Sequence, residues 1–285
     1  MSKIVVAHSP DADDIFMYYA IYFGWIGSKN IKFSNIALDI ESLNEGALDS
    51  KYLISAISFA LYPFIKNNYA LLSTAMSFGE GYGPKLIKKR GKSLKDNFKV
   101  ALSGKWTTNA MIFKIKYPNA RIVYKNFLEI ENAVLTGEVD AGVLIHESIL
   151  NFDDSLEVEA KLWDIWIDLA GDSLPLPLGG MAISRSIPLL RAIECQEILT
   201  NAVRVAVNNK KILSTMLENY VRVNQNNLEK YLNMYANNNS ITLNEIQIKA
   251  LDRLFKIGYD FGVYKNLIET KDYLLPVDYK DLRFC

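Results

Sequence analysis

Ala141-Gly142-Val143-Leu144-Ile145-His146-Glu147 is the stretch on which the reading of this chain turns. Its first five residues are small or aliphatic without a polar alternation, the pattern of a strand covered on both faces. The run ends on an imidazole and a carboxylate. In an open α/β sheet, ligands bind outside the carboxyl ends of the strands. A titratable histidine at such an end is therefore placed for chemistry. A hydrogen-bonded structural histidine is the competing reading from position alone. The chain has two histidines, and the other, His8, also follows an apolar run.

The same strand-then-polar-end pattern recurs on both sides of that stretch. Lys3 to Ala7 reads as a strand, ended by Pro10. Asp11-Ala12-Asp13-Asp14 then opens a helix through Ile15, Phe16, Tyr19 and Phe23 to Gly24. Aspartates suit a helix start, where free N–H groups and the macrodipole favour negative charge. Ser9, Asp11 and Asp14 would also line a mouth above the first strand. Ile31 to Ile40 is a second strand, Glu41 to Leu48 a short helix, and Tyr52 to Ser58 a third strand with Ser58 at its carboxyl end. A helix over Phe59 to Lys66 and a strand over Tyr69 to Thr74 follow.

Gly79-Glu80-Gly81-Tyr82-Gly83 has the spacing of a phosphate cradle, but Pro84-Lys85-Leu86-Ile87 after it reads as a strand, where a dinucleotide fingerprint needs a helix. A hinge or ligand-flanking loop fits better. The basic run Lys88 to Lys92 reads as a solvated turn and a domain boundary. Phe98 to Leu102 starts a second α/β unit. Ser103-Gly104-Lys105-Trp106-Thr107-Thr108-Asn109 leads from that strand into a helix through Ile112, Phe113 and Tyr117. Thr107, Thr108 and Asn109 serve there either as simple N-caps or as a site for a carboxylate on free backbone N–H groups.

Arg121 to Lys125 is a strand, and Leu128 to Leu135 a helix that turns into the His146 strand. Leu174-Pro175-Leu176-Pro177-Leu178-Gly179, running on to Ile183, cannot be helical with two alternating prolines. It reads as an extended return to the first unit. From Ser186 onward the chain is helical, with Thr242-Leu243-Asn244-Glu245 as a capping box. Tyr220, Tyr231 and Tyr235 read as packing residues. The expected class is α/β in two domains. A larger one spans 1–92 and 184–285, with a helical C-terminal part. A smaller one spans 93–183, and a ligand cleft lies between them.

Composition narrows the partners. Among 285 residues, 32 Lys and Arg balance 32 Asp and Glu, so no basic excess points to nucleic acid. Cys195 and Cys285 lie far apart and make no metal-ligand spacing, which fits inert thiols in a reducing compartment. The first apolar run is too short for a secretory segment, and no stretch has the length of a membrane span. A cytoplasmic protein is expected, with a small-molecule substrate and with no nucleic-acid or membrane partner.

Two α/β units joined by two crossings resemble the type II periplasmic-binding-protein architecture. Within it, Ser9-Pro10 followed by Asp13-Asp14 is similar to the opening of the 1,4-dihydroxy-6-naphthoate synthase family, of the futalosine route to menaquinone. Ser58 at its strand end, Gly104 with Thr107-Thr108, the stretch ending Ile145-His146-Glu147, and Leu174 to Gly179 match the same family in order. The family usually reads Ser-Pro-Cys-Pro-Asn-Asp at the first motif, where this chain has Asp11, Ala12 and Asp13 in the middle. It often has Lys where this chain has Ala56. The resemblance implies a carbon–carbon lyase converting cyclic dehypoxanthinyl futalosine to 1,4-dihydroxy-6-naphthoate without metal or organic cofactor. It implies His146 as general base, with substrate contacts at Ala56, Ile57, Ser58, Thr107, Thr108, Asn109, Ser9 and Asp14. Glu147 is a candidate to orient His146, and His8 reads as a packed histidine. Chorismate dehydratase, of the same architecture, and a non-catalytic small-anion binding protein are the alternatives.

Overall fold

A computed structural model describes residues 2–222 and 225–278; Cys285 lies outside them. In chain order the strands are β1 (Ser2–His8), β2 (Ile31–Ala37), β3 (Ile54–Ser58), β4 (Tyr69–Leu71), β5 (Ser77–Gly79), β6 (Lys85–Lys89), β7 (Lys99–Leu102), β8 (Arg121–Tyr124), β9 (Ala141–Leu144), β10 (Leu156–Lys161) and β11 (Leu176–Ser184). The helices are α1 (Ala12–Tyr22), α2 (Ile40–Leu48), α3 (Tyr62–Ile65), α4 (Thr108–Lys116), α5 (Phe127–Thr136), α6 (Leu162–Ala170), α7 (Leu189–Asn208), α8 (Lys210–Leu217), α9 (Gln225–Tyr235) and α10 (Glu245–Asp260).

These strands form two sheets. The first has the order β2-β1-β3-β11-β4, with β5 also on β11; the second has the order β10-β6-β9-β7-β8. Each is built on a parallel core, β2-β1-β3 in one and β8-β7-β9 in the other. Antiparallel strands are added to each: β11 on β3, and β6 on β9. The consecutive apolar residues of β3 and β9 are buried at every position, as expected of strands covered on both faces.

Sheet membership places the two crossings differently from the sequence reading. β6 pairs in the second sheet although it precedes residue 92, so the chain has crossed by the glycine-rich loop and not at the basic turn. β11 returns to the first sheet from Leu176, and most of it precedes residue 184. Pro177 is tolerated there because the ladder to β5 shifts register between Pro177 and Gly179, and an irregularity is where a strand can hold a proline.

Other differences are local. β2 stops at Ala37 because Asp39 caps α2, its Oδ1 accepting from the N–H groups of Glu41 and Ser42 at 3.2 and 3.1 Å. The helix expected over Phe59 to Lys66 is a 3-10 turn over Phe59–Leu61 followed by the single turn α3. The capping box of α10 sits at Asn244 and Gln247, each side chain bonded to the other's N–H at 2.9 Å, and not at Thr242. The chain also forms strands β5 and β10 and helix α6, beyond the elements that its sequence pattern predicts. Cys195 is buried in α7, and burial pushes its thiol up to about 12. Among the described residues no helix is long and apolar enough to cross a membrane.

Gly142 shows how closely α5 lies on the second sheet. A Cβ there would stand 2.5 Å from Cγ2 of Ile130 and 3.0 Å from Cγ2 of Val134. Gly142→Val is expected to cost about 1–3 kcal/mol of stability through overpacking, read as a lower urea midpoint. An unchanged midpoint would mean that α5 can withdraw from the strand without penalty.

Candidate active site

The carboxyl ends of four parallel strands face one cleft, which encloses about 760 Å³ of empty space, part of it open to solvent. Ser9 follows β1, Ser58 ends β3, Thr107 and Thr108 follow β7, and His146 follows β9. Antiparallel β11 and β6 bring their starts to the same place, so Leu178, Gly179, Gly180 and Pro84 also line it. All nine residues expected at the site border this cleft: Ser9, Asp14, Ala56, Ile57, Ser58, Thr107, Thr108, Asn109 and His146.

His146 is the first residue of a 3-10 turn, one position beyond extended Ile145. Its φ is +53°, a left-handed conformation that costs a histidine of order 1–3 kcal/mol and persists only where the surroundings enforce it. Its side chain is 20% exposed, but Nε2 is buried. Nε2 lies 3.0 Å from Oδ2 of Asp11, off the line of a hydrogen bond. The edge of Phe127 meets the imidazole at 5.0 Å between ring centres, and the Arg222 guanidinium stands 5.3 Å over Phe127. Burial lowers the proton affinity of His146, opposed by Glu147 and Asp13 and assisted by Arg222.

The three aspartates do not act as simple caps. Asp11 stands at the N-cap of α1 but makes no side-chain cap bond. Asp13 accepts from the Ser77 hydroxyl at 2.7 Å and from the Tyr231 hydroxyl at 3.2 Å. Asp14 accepts from the Ser9 N–H at 2.8 Å. Burial raises the proton affinity of all three, most for Asp11.

Glu147 takes a different place from the one expected. Its Oε1 accepts from the N–H of Ala12 at 2.9 Å, so it caps α1 across the cleft, while its charge still raises the proton affinity of His146. Burial, then Asp11, raises its proton affinity. Glu147→Ala is expected to lower stability by about 1 kcal/mol, the usual worth of a capping bond. A urea midpoint equal to wild type would show that water replaces the carboxylate there.

On the opposite wall the expected binding groups are partly engaged. Thr107 Oγ1 donates to the Gly104 carbonyl at 3.1 Å and accepts from the Ala110 N–H at 3.3 Å, a true cap. It also meets Asn109 Oδ1, and Asn109 donates to Ser103 at 3.3 Å. Thr108 Oγ1 accepts from the Ala60 N–H at 3.2 Å and donates to the Leu178 carbonyl at 3.0 Å, tying the two sheets' loops together. Ser58 is held by both ends of the Asn44 amide, at 2.9 and 3.1 Å. The side chains thus organise the wall. The first-turn amides of Thr108 and Asn109, which the helix ladder cannot use, are the donors left for an anion.

Tyr231 and Tyr235 pack, as expected, and also line the cleft from α9. Their spacing of four on one helix face was the available signal. His8 is buried outside this cleft, its Nδ1 2.7 Å from the Ser9 carbonyl and its Nε2 3.1 Å from the Asn35 amide.

Comparison with known proteins agrees with this architecture. Residues 4–260 match the family model described as menaquinone biosynthesis. The chain is 26% identical over 259 residues to the 1,4-dihydroxy-6-naphtoate synthase of Thermus thermophilus, covering 90% of this chain and 93% of that one. The crystal structure of protein AF1704 from Archaeoglobus fulgidus superposes with a TM-score of 0.84 at 34% identity, covering 92% of this chain and 98% of the other. The periplasmic aliphatic sulphonate binding protein SsuA from Escherichia coli shares the fold alone, with a TM-score of 0.65 at 10% identity over the whole of both chains. The fold is therefore periplasmic-binding-protein-like. With its family's match spanning nearly all of the described chain, this protein is a member of the menaquinone-biosynthesis family.

Proposed function

We propose that the cleft carries out the reaction named for the Thermus relative, with His146 as its general base. The protein is a carbon–carbon lyase that converts cyclic dehypoxanthinyl futalosine to 1,4-dihydroxy-6-naphthoate. One observation carries the reading: of two histidines, His146 faces the cleft from a strand's carboxyl end, where burial lowers its proton affinity. Fragmenting a carbon skeleton into an aromatic ring begins with removal of a proton, and a neutral imidazole suits that step near neutral pH. The amides of Thr108 and Asn109 would hold the substrate's carboxylate, with Ser58, Ala56 and Ile57 beside it and Ser9 and Asp14 across the cleft. The reading calls for no cofactor and places the enzyme in the cytoplasm. It also takes sheet membership as the division into lobes, 2–79 with 176–278 against 80–175.

The test is turnover of cyclic dehypoxanthinyl futalosine by the purified chain without added cofactor, followed by naphthoate absorbance. Product formation is the expected result. Loss of chorismate instead would assign the dehydratase reaction. Tight binding of the futalosine compound without turnover would make the cleft a receptor.

A further inference from the structure

The buried carboxylate of Asp11 has no assigned task. Its side chain is 1% exposed, and among the described residues neither oxygen accepts a hydrogen bond. An unpaired carboxylate in such a place is costly as an anion. The other acids at the cleft are engaged: Asp13 by Ser77 and Tyr231, Asp14 by Ser9, and Glu147 by Ala12. Nε2 of His146 approaches Asp11 to 3.0 Å, and the Ser9 hydroxyl stands beside the same carboxylate.

We propose that Asp11 is the positioning residue of His146: it holds Nε2–H toward its carboxylate, turns Nδ1 to the substrate, and takes the Nε2 proton when Nδ1 becomes protonated. This rests on His146 being the base. The misalignment does not oppose it, since catalytic hydrogen bonds commonly align only when the substrate complex forms. Phe127, with Arg222 over its face, backs the imidazole and limits its rotation. The left-handed backbone at His146 further restricts where the ring can point.

The proton count closes. A substrate C–H bond breaks, its electron pair stays on carbon, and the proton forms a bond to Nδ1. The Nε2 proton passes to Oδ2 of Asp11, which becomes a carboxylic acid. The site gains one proton and no electrons, and returns the proton to product by the reverse path. Groups around the pair favour this. Burial raises the affinity of Asp11 for a proton, as do Asp13 and Asp14, while the Ser9 hydroxyl and Arg222 reduce it. Burial and Arg222 lower that of His146, and Glu147 and Asp13 raise it. Tyr231, whose own proton is held firmly by burial, faces the cluster as a neutral donor. Asp11 also stands where the resembling motif reads Cys, so the device belongs to this chain's own variant of the site.

Asp11→Asn tests it. An amide can donate to Nε2, which leaves the hydrogen on Nδ1, the wrong tautomer for a base. In the serine-protease triad the same exchange costs about 10⁴ in kcat. For Asp11→Asn the expected result is a kcat lowered by about 10³–10⁴ at neutral pH, a KM close to wild type, and a changed acid limb in the kcat profile. Asp11→Glu should recover part of the loss. A kcat near wild type, or a loss shared with KM and without change in the pH profile, would overturn the proposal. A direct readout needs no turnover. With only two histidines, the ¹⁵N spectrum of histidine-labelled enzyme resolves both rings, and His146→Asn assigns them. Wild type above the acid limb should carry its proton on Nε2 of His146, and a Nδ1–H tautomer there sinks the proposal even if Asp11→Asn does not fold. Should His146→Asn remain active, the general-base reading itself fails. Should His146→Asn be dead while Asp11→Asn is fully active, only the pairing fails.

Discussion

His146→Asn is expected to lower kcat by about a thousandfold, the scale of a lost general base, while the protein stays folded. The choice of asparagine follows from the backbone. At φ +53° asparagine is among the residues best suited to the left-handed region, so the variant should melt at or above the wild-type temperature. Activity and stability then move apart, which a merely structural histidine would not allow. The pH dependence has a definite sign. Burial lowers the pKa of His146 below its usual 6.5, so the base form persists at neutral pH. Activity falls only as the pH drops through that lowered value. An asparagine variant with more than a tenth of wild-type kcat would refute the role.

Gly104→Val is expected to be the most damaging change outside the reacting groups. The Glu41 carboxylate, on α2, accepts from the N–H of Lys105 at 2.6 Å and of Trp106 at 3.2 Å, which follow β7 of the second sheet. Those amides lie just before α4, where its dipole favours a negative charge. A Cβ on Gly104 would lie 2.7 Å from Cδ and 2.9 Å from Cβ of Glu41. The carboxylate could swing aside, but the contact with Cβ, which α2 fixes, would remain. Bonds to a charged group are worth about 1.5–3 kcal/mol, so kcat/KM should fall by roughly 10–100-fold if the closed cleft is the reactive one. Small-angle scattering with substrate should show a wider particle than wild type. Unchanged kcat/KM would mean that Glu41 and Gly104 are passengers in closure.

The parts of this site visible in sequence were those that end apolar runs. Val143-Leu144-Ile145 announces a covered strand, and His146 and Ser58 stand out because a polar group must follow where the strand leaves the sheet. The crossings were less legible. Lys88, Lys89 and Arg90 look like a solvated boundary, yet Lys88 pairs with Glu157 and Glu159 of β10 and belongs to a ladder. β10 itself alternates Leu156-Glu157-Val158-Glu159, a period-2 signal with one apolar face that its charges obscured. The spacing of Tyr231 and Tyr235 marks a shared helix face but not the bond of Tyr231 to Asp13, which joins residues 218 positions apart. Nothing local distinguishes a tyrosine that packs from one that also meets a buried acid. Glu147 accepts from the Ala12 N–H at the helix start that the sequence pattern assigns to Asp11, and Asp11 stands beside His146 instead; both are carboxylates, and only their position across the cleft separates them.

β11 carries a consequence for the order in which the molecule can be assembled. Among the described residues β4 ladders with no strand other than β11, apart from a single bridge from Leu71 to Leu274, and β5 with none other than β11, while β3 meets β11 along its whole length. The strands of the second sheet, in contrast, are contiguous in the chain from Lys85 to Lys161. During synthesis from the N-terminus, the second sheet is complete before the first can be. The early strands β4 and β5 must wait, unpaired, for a segment made about a hundred residues later. The newborn chain thus carries β4 and β5 through the synthesis of its middle third before the strand that pairs them arrives.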